Sequence, residues 1–495
     1  MTKRAKTSSF TITLKLNTNA EDELYLNQTF GIACHMYNVV VKHAIKCINR
    51  LERNQRYQEI MSSYKKNKKL SKQEKEELSN IRMSVGLSEY QFHDYIVKQK
   101  NMFSEHIDIN TAQKIATRVW QSADSYLFKN GEELHFKKKI DFCSVEGKNN
   151  SSGIRFRNNT IHWKDLSITA RIKKKDAYAK KALKENKIKY CRIIRRWRRH
   201  KWVYYVQLVM EGLSPKKHNF VNDDKNVGID LGPSTIAVVG NDNILFDELA
   251  ADVNRIDKEL RILNRKIDRQ QRANNPDNYN EDGTIKKDTK SFKKKWKKSR
   301  RQLLTEHKRK ALYQKRADKL TQSHNALANV ILSFGTNIKV EDNPIEGWKR
   351  KAKKTEISEK SGKYKKKKRF GKSIQNHAPS KLISILNIKL SYLGKEVIKI
   401  PPAELRASQL DHITGECIKA GLDERIKNLA DGTEVHRDPY SAFIIKNATG
   451  NKENPYDFVS MEETFEQFMS MHDRCIDKLK KQKEAGHKFP ASMGI

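Results

Sequence analysis

Three acidic residues of this chain each adjoin an apolar run, and successive members are more than ninety residues apart. Asp230 ends the run VGID, Glu341 ends NIKVE, and Asp438 precedes YSAFII at what looks like a helix start. Acidic residues are rare inside strands, so we expect these carboxylates at a sheet edge. Carboxylates that converge from separate elements repel one another unless cations hold them, and hard oxygen ligands suit magnesium. The pattern therefore suggests metal-dependent hydrolysis of a phosphodiester.

The charge balance points to a polyanionic partner. The 495 residues include 100 Lys and Arg against 59 Asp and Glu, a formal net charge of +41. An excess of one sign this large favours nucleic acid, bound largely through release of counterions from its phosphates. Hydrophobic residues make up 37%, enough for buried cores, and the length predicts roughly two to four domains.

Cysteine usage and hydropathy exclude several other classes. The six cysteines are scattered and form no CxxC pair, so the spacing predicts neither a disulfide framework nor a zinc site. The first residues contain no apolar signal core, and no apolar segment is long enough to cross a bilayer. We therefore expect the protein to meet nucleic acid in the cytoplasm, without a membrane partner.

The N-terminal half combines strand and helix patterns. The segment SSFTITLKL (8–16) alternates apolar and polar residues like a half-buried strand, and the pattern from about 20 to 128 is helical. The lysine-rich stretch 64–77 is predicted to be an exposed hairpin or loop. Short strands follow from 135, and a polar, proline-containing break begins at Ser214. These patterns predict a β-rich domain of residues 1–18 and 131–215, interrupted by a helical domain of residues 19–130.

The C-terminal half, residues 221–495, is the α/β-patterned part. VGIDLGPSTIAVVGNDNILFDEL predicts three short strands with tight turns. A coiled-coil-like face over 252–270 and a lysine-rich helix from about 291 to 333 predict an antiparallel helical hairpin, residues 252–333. The strand NIKVE, a basic loop (346–375), an amphipathic helix (380–393) and the strand EVIKIPP follow.

The three acidic segments resemble a known set of motifs. VGIDLG, the VED of IKVEDNPIEGW, and HRDPYSAF resemble the three motifs of a RuvC nuclease core. The whole chain resembles the TnpB family, the insertion-sequence-encoded relatives of type V CRISPR effectors. The resemblance implies an α/β RNase H-like core, an N-terminal β-barrel-like (wedge) domain and an inserted helical recognition domain.

The resemblance also implies an activity and its partners. It implies an RNA-guided DNA endonuclease whose guide RNA derives from the transposon end, acting in the bacterial cytoplasm near the nucleoid. One protein molecule per guide RNA would recognise double-stranded DNA beside a short flanking motif, while base pairing reads the target. At the matching positions Asp230, Glu341 and Asp438 become ligands of catalytic Mg²⁺.

Two features depart from the family pattern. Many members carry a four-cysteine zinc finger between the second and third motifs, but this interval contains only Cys417. We therefore expect no structural zinc, and ordinary packing for His412 and Cys417. In the third motif Pro439, Tyr440 and Ser441 follow the aspartate where asparagine and alanine are common, so the surroundings of Asp438 should differ.

Two basic clusters are predicted to contact nucleic acid. An arginine guanidinium can donate two hydrogen bonds to one phosphate, and an indole can stack on a base. This suggests nucleic-acid contacts by the residues of RRWRRHKW: Arg195, Arg196, Trp197, Arg198 and Arg199. The alternative is a solvated basic turn. The second cluster is predicted to be a mobile lid over the acidic site, formed by Lys366, Lys367, Lys368, Arg369 and Lys372. Its alternative is a basic loop without catalytic effect.

The sequence is also compatible with three other functions. A nuclease-inactive, RNA-guided DNA-binding repressor would be expected to lose core acids, and this chain retains all three. A DNA transposase would act directly on DNA, but no separate helix-turn-helix is evident. A compact type V CRISPR effector would share the chemistry and differ in whether a repeat array flanks the gene.

Overall fold

The computed structural model describes residues 8–67, 69–128, 131, 133–198, 201–215, 223–289, 294–350, 355–357, 370–419, 421 and 424–495. The chain divides into two compact units, Met1–Lys217 and His218–Ile495. None of the described helices combines the length and the apolar content that crossing a bilayer requires.

The first unit combines a seven-stranded antiparallel sheet with six α-helices among its described residues. The strands are β1 (Ser9–Leu16), β2 (Ser144–Glu146), β3 (Arg155–Arg157), β4 (Thr160–Trp163), β5 (Leu166–Arg171), β6 (Ile188–Arg198) and β7 (Lys201–Glu211). The helices are α1 (Ala20–Glu52), α2 (Gln55–Asn67), α3 (Lys72–Ser84), α4 (Glu89–Lys100), α5 (Ile109–Phe128) and α6 (Ala177–Glu185). The strand order is β2-β6-β7-β1-β5-β4-β3, so β1 lies in the middle of the sheet between strands from much later in the chain.

One continuous hydrophobic core holds this unit together. In β1 the alternating Ile12, Leu14 and Leu16 are buried, as expected for a strand with one face on a core. The same core includes Phe30 of α1 and Trp163 of β4. The helical and β-rich parts predicted from the sequence therefore pack as one compact unit.

Of the two alternatives predicted for 64–77, an exposed hairpin or a loop, the structure has a helical hairpin, whose two helices are linked by an ion pair of Arg56 with Glu77 at 2.7 Å. Helix α2 continues to Asn67, and α3 begins at Lys72. Ser71 caps α3: its hydroxyl accepts from the backbone N–H of Glu74, and the Glu74 carboxylate accepts from the N–H of Ser71. This capping box is readable as S-x-x-E, and it starts a helix despite the lysine-rich composition.

The second unit is a mixed α/β structure. Its strands are β8 (Asn226–Leu231), β9 (Thr235–Val239), β10 (Ile244–Glu248), β11 (Asn337–Glu341), β12 (Ile398–Ile400), β13 (Ile426–Asn428) and β14 (Glu434–His436). Its helices are α7 (Asn254–Asn274), α8 (Arg300–Phe334), α9 (Ile345–Lys349), α10 (Gly371–His377), α11 (Pro379–Leu390), α12 (Pro402–Leu405), α13 (Arg437–Lys446) and α14 (Phe458–Glu484). Strands β13 and β14 form a separate antiparallel pair.

The main sheet of this unit is covered on both faces. Its order is β10-β9-β8-β11-β12; β8, β11 and β12 are parallel to one another, and β9 is antiparallel to its neighbours. In β9, Ala237 and Val239 join a core with α13 and α14, whereas Ile236 and Val238 join a core with α8 and α11. Burial on both faces explains the continuous apolar run of β9, TIAVV, whereas β11, NIKVE, alternates buried and half-buried residues.

The predicted helical hairpin forms, but its second helix begins later than predicted. Asn274 at the end of α7 donates to Gln302 near the start of α8 at 3.0 Å, the arrangement of an antiparallel pair. Helix α8 starts at Arg300, capped by Ser299, and residues 294–299 are not helical. Lys294, Lys295, Lys297 and Lys298 therefore lie outside the helix, which begins only after the capping hydroxyl of Ser299.

Helix α13 lies unusually close to strand β8. A Cβ atom at Gly228 would stand 2.0 Å from the carbonyl oxygen of Ala442 and 2.3 Å from the backbone nitrogen of Lys446. At the same end of α13, the Lys339 ammonium of β11 donates to the carbonyls of Lys446 and Ala448 at 3.0 and 2.6 Å. Only glycine permits this contact, and the lysine satisfies carbonyls left unpaired at the helix end.

Gly228→Ala should therefore force α13 and β8 apart. We expect a loss of about 2–4 kcal/mol in the free energy of unfolding of this unit, measured by urea titration. Gly371→Ala is the matched control, because a Cβ there would meet no atom within 4 Å. Equal stability of the two variants would show that the helix adjusts without cost.

Candidate functional site

The three acids predicted from the sequence come together at the ends of two inner strands of the main sheet. Asp230 lies in β8 and Glu341 ends β11, and these strands are parallel neighbours in which Ile229 pairs with Val340. Asp438 is the second residue of α13, the helix held against β8 at Gly228. Parallel strands that end together, with a helix start packed beside them, therefore bring the three carboxylates to one place.

Asp230 is the most perturbed of the three. It keeps some solvent exposure but is surrounded by protein atoms, and the resulting loss of hydration is the main cause that raises the pKa of its carboxyl well above the ordinary value. Repulsion by Asp438 and by Glu341 raises this pKa further. A buried acid between two other acids is stable only when protonated or when positive charge compensates it.

Glu341 is held by neutral donors. Burial raises the pKa of its carboxyl, and hydrogen bonds from the Asn343 side chain and the Ala407 backbone N–H act in the opposite direction. The Asn343 amide nitrogen lies 3.3 Å from Oε2 of Glu341. Asn343 follows the VED sequence by one residue, so these hydrogen bonds orient the carboxylate without neutralising its charge.

Asp438 is held by cations instead. Its carboxylate lies 3.6 Å from Nη1 of Arg425 and 3.4 Å from Nε of Arg437. It also lies in the first turn of α13, where the helix dipole favours negative charge. Sequence reasoning did not identify either arginine. Arg437 adjoins the acid in the motif, whereas Arg425 reaches it only because β13 and β14 pair.

The donor atoms suit a hard divalent cation. Six carboxylate oxygens are the ligand type that Mg²⁺ prefers, and positive charge here would relieve the repulsion around Asp230. Among the described residues, no three His, Cys, Asp or Glu side chains stand close enough to hold a metal ion as they are. Binding by all three acids would therefore require their side chains to move closer together.

The residues that depart from the family's third motif are structural. Tyr440 is fully buried, and its hydroxyl bonds the backbone N–H of His412 at 3.1 Å and the His412 ring Nδ1 at 2.8 Å. The Ser441 hydroxyl donates to the carbonyl of Arg437 at 2.9 Å. Cys417 is exposed, with its sulfur 3.9 Å from the hydroxyl of Tyr456. His412 and Cys417 thus have separate neighbours in the described chain.

The predicted nucleic-acid contact by Arg195 is contradicted by its position. Arg195 is only 3% exposed, its guanidinium donates to the carbonyls of Lys139 and Phe142, and it stacks over the rings of Phe30 and Trp202. Alternation along β6 turns this side chain into the core. A basic sequence cluster does not reveal which of its members faces inward.

The nucleic-acid contacts predicted for the other members of that cluster stay predictions. The Arg196 guanidinium lies over the ring of Tyr205, Trp197 packs edge-on against Trp202 with ring centroids 5.2 Å apart, and Arg198 is opposite Lys201 at the end of the β6–β7 pair. Arg199 lies outside the described residues.

Most of the predicted lid is also outside the described part of the chain, namely Lys366, Lys367, Lys368 and Arg369. Lys372 is described, in α10, and its ammonium lies 3.4 Å from the carboxylate of Asp257 in α7. The buried Arg316 of α8 holds the same short helix by donating to the carbonyl of Gln375 at 2.6 Å. Lys372 is therefore anchored to the helical hairpin.

Replacing Arg195 tests its structural role. Arg195→Met keeps the apolar stem but removes the donor from the buried Phe142 carbonyl and from the partly buried Lys139 carbonyl, so the first unit should lose about 2–4 kcal/mol of unfolding free energy. Arg198→Met, in the same strand but partly exposed, should change it by no more than about 0.5 kcal/mol. Comparable losses in urea titrations of both variants would contradict the assignment.

The raised pKa of Asp230 predicts how stability depends on pH without metal. The folded protein keeps the carboxyl proton to higher pH than the unfolded chain, so the ionised carboxyl destabilises the fold above the ordinary pKa of about 3.9. In EDTA at neutral pH, Asp230→Asn should therefore be more stable than wild type by about 1–3 kcal/mol. The gain should vanish towards about pH 3.

Urea titrations across this pH range, with and without Mg²⁺, measure the effect. Magnesium should stabilise the wild-type protein and leave the Asn variant unchanged, because a ligand is missing. Asp242→Asn is the control, since Asp242 is an exposed acid paired with Lys225. A variant no more stable than wild type in EDTA would contradict the raised pKa.

Comparison with known proteins gives coarse similarity only. No family model and no curated protein matches the chain. A cryo-EM structure of a Cas12f1–sgRNA–target DNA complex aligns over 89% of this chain and 99% of that chain, with 11% identity and a TM-score of 0.44. A CRISPR–Cas12f ternary complex aligns over 87% of this chain and 82% of that chain, with 15% identity and a TM-score of 0.30. Similarity at this level establishes neither the family nor the activity of the chain.

Proposed function

We propose that this protein is an RNA-guided DNA endonuclease with one metal-dependent active site formed by Asp230, Glu341 and Asp438. The observation that carries the proposal is the convergence of these three carboxylates at the ends of β8 and β11 and the start of α13, where burial and then repulsion by Asp438 and Glu341 raise the pKa of Asp230. Such a cluster in a chain of net charge +41 fits a site for cations and a polyanionic substrate.

The architecture of the second unit supports this proposal. A mixed sheet with helices on both faces is consistent with the RNase H-like RuvC core that the three motifs imply. The acids belong to a strand, a neighbouring parallel strand and a helix start, in the order of those motifs. The β-rich sheet and helices of the first unit fit the proposed wedge and recognition parts.

Each acid has a distinct part in the proposed chemistry. Bound Mg²⁺ would activate a water molecule and stabilise the leaving oxygen of the phosphodiester. Asp230, whose carboxyl is repelled by both other acids, would hold the metal with them. Glu341 is kept in orientation by Asn343 and the Ala407 N–H. Asp438 lies in a helix start beside Arg425 and Arg437, whose guanidinium groups are also the groups best suited to hold a phosphate.

Guide RNA and double-stranded target DNA with a short flanking motif are the proposed partners. An sgRNA and target DNA are named with the Cas12f1 structure described above. For this chain the proposal relies on its charge and motifs: base pairing reads the sequence while basic side chains contact backbones. A transposon end beside the gene would identify the proposed guide source, whereas a repeat array would indicate the CRISPR alternative.

Cleavage by the purified ribonucleoprotein tests the proposal. With Mg²⁺ and a library of flanking motifs, the wild type should cut matched DNA. Asp230→Ala and Glu341→Gln should slow cutting roughly a thousandfold or more while target binding persists. Asp242→Asn should cut like wild type, because this exposed acid lies outside the cluster. Retained cutting by Asp230→Ala would refute the ligand assignment.

The nuclease-inactive binder is the competing outcome. It has one observation in its favour, the two arginines that already neutralise Asp438. Sequence-specific binding of matched DNA without cutting at any Mg²⁺ concentration would establish it. Sequencing the RNA that co-purifies with the protein separates the guided nuclease and the guided binder from a transposase, which would carry no discrete guide RNA.

A further inference from the structure

A buried chain of hydrogen bonds connects Asp438 to residues 489–495, far from the motif in sequence. His436 caps α13, and its ring Nδ1 accepts from the backbone N–H of Asp438 at 3.4 Å. Its other ring nitrogen, Nε2, lies 2.6 Å from the carbonyl oxygen of Met493. His436 is 1% exposed and the Met493 side chain is fully buried, so water does not compete for these bonds.

The network assigns the protons on two histidines. Since Nδ1 of His436 accepts, the proton of the neutral ring must be on Nε2, where it is donated to Met493. Nε2 of His472 in α14 accepts from the backbone N–H of His436 at 3.0 Å. Nδ1 of His472 therefore carries its proton and donates to Asp473 at 2.8 Å. The Met493 carbonyl thus selects the His436 tautomer that can cap Asp438.

The next residue controls the carboxylate of Asp438 as well. Gly494 has a φ of +66°, and a Cβ there would stand 2.5 Å from Cγ and 2.7 Å from Cβ of Arg425. The guanidinium of Arg425 in turn lies 3.6 Å from the Asp438 carboxylate. One short segment therefore touches the two residues that hold the backbone and the side chain of the same acid.

Residues of this segment also pack towards the strand that carries Asp230. The hydroxyl of Ser492 lies 3.4 Å from that of Ser234, in the turn between β8 and β9. The His436 ring rests on Phe246 of β10, with centroids 4.8 Å apart. The segment is thus fixed against the sheet and against the start of α13 together.

We propose that residues 489–495 are a positioning element for Asp438, acting through His436 and Arg425 without touching substrate. This inference depends on the proposed nuclease function for its catalytic readout. Misplacing a reacting group by about 1 Å can slow a reaction roughly a hundredfold. The competing explanation is that the segment only fills the core, in which case folding, binding and cleavage would weaken together.

Two glycine substitutions separate these explanations. Gly494→Ala and Gly486→Ala place the same side chain at left-handed positions, φ +66° and +91°, but a Cβ at Gly486 would meet nothing within 4 Å. Single-turnover cleavage at saturating target should be roughly tenfold or more slower for Gly494→Ala than for Gly486→Ala. The Kd for target should be equal for the two variants, whereas the thermal midpoint should be lower for Gly494→Ala, because its Cβ would collide with Cβ and Cγ of Arg425.

Hydrogen exchange supplies a readout independent of cleavage. In the full protein, the peptide spanning 435–440 should exchange faster in Gly494→Ala than in Gly486→Ala, because the cap on the Asp438 N–H is weakened. If the wild type cuts no DNA, faster exchange still supports the positioning role while the nuclease proposal fails. Equal cleavage and equal exchange in Gly494→Ala and Gly486→Ala would overturn the positioning role. Parallel loss of cleavage, binding and stability in Gly494→Ala would overturn it too.

A second pair of variants covers the case in which Gly494→Ala does not fold. His436→Asn retains a side-chain oxygen that can accept from the Asp438 N–H, whereas His436→Ala removes the acceptor. Cleavage by the Asn variant should exceed that by the Ala variant roughly tenfold at equal target affinity. Equal rates would show that capping by His436 does not position Asp438, and the proposal would be wrong.

Discussion

The close contact between helix α13 and strand β8 is the constraint on which the candidate site depends. The backbone of α13 passes over Gly228 so closely that a single methyl group would collide with the Ala442 carbonyl. Two residues further along β8 comes Asp230, and the start of α13 carries Asp438. A helix packed farther from β8 would leave these carboxylates farther apart.

Bringing acids together has an electrostatic cost, and the surrounding residues offset only part of it. Arg425 and Arg437 neutralise Asp438, and Asn343 with the Ala407 N–H orients Glu341. Among the described residues Asp230 forms no ion pair. Burial, and after it the other two acids, raise the pKa of its carboxyl, and the charges of Arg437 and Arg425 oppose this only in part. Uncompensated repulsion of this kind is typical of sites that bind cations, because the bound cation supplies the missing positive charge.

The strands of the second unit could be predicted from the sequence, because each is marked by its own residues and by the turns beside it. Short apolar runs separated by turns predicted β8, β9, β10 and β11, and the continuous run of β9 reflects burial on both faces. Lysine-rich composition was a poorer guide to where helices begin. Ser71 starts helix α3 inside the segment expected to be a hairpin or loop, and Ser299 starts α8 later than its lysine content suggested. Both serines are readable in the sequence as N-caps.

The sequence by itself determined that three acids occupy the ends of apolar elements in a strongly basic chain, because residue type and periodicity are properties of neighbouring residues. Only the tertiary structure decided which charged groups serve the site and which serve the core. Arg195 belongs to a basic cluster yet is buried by strand alternation, and Arg425 reaches Asp438 through a hairpin. His436 meets Met493 across more than fifty residues. Contacts between distant segments follow from packing geometry, and no local pattern in the chain records them.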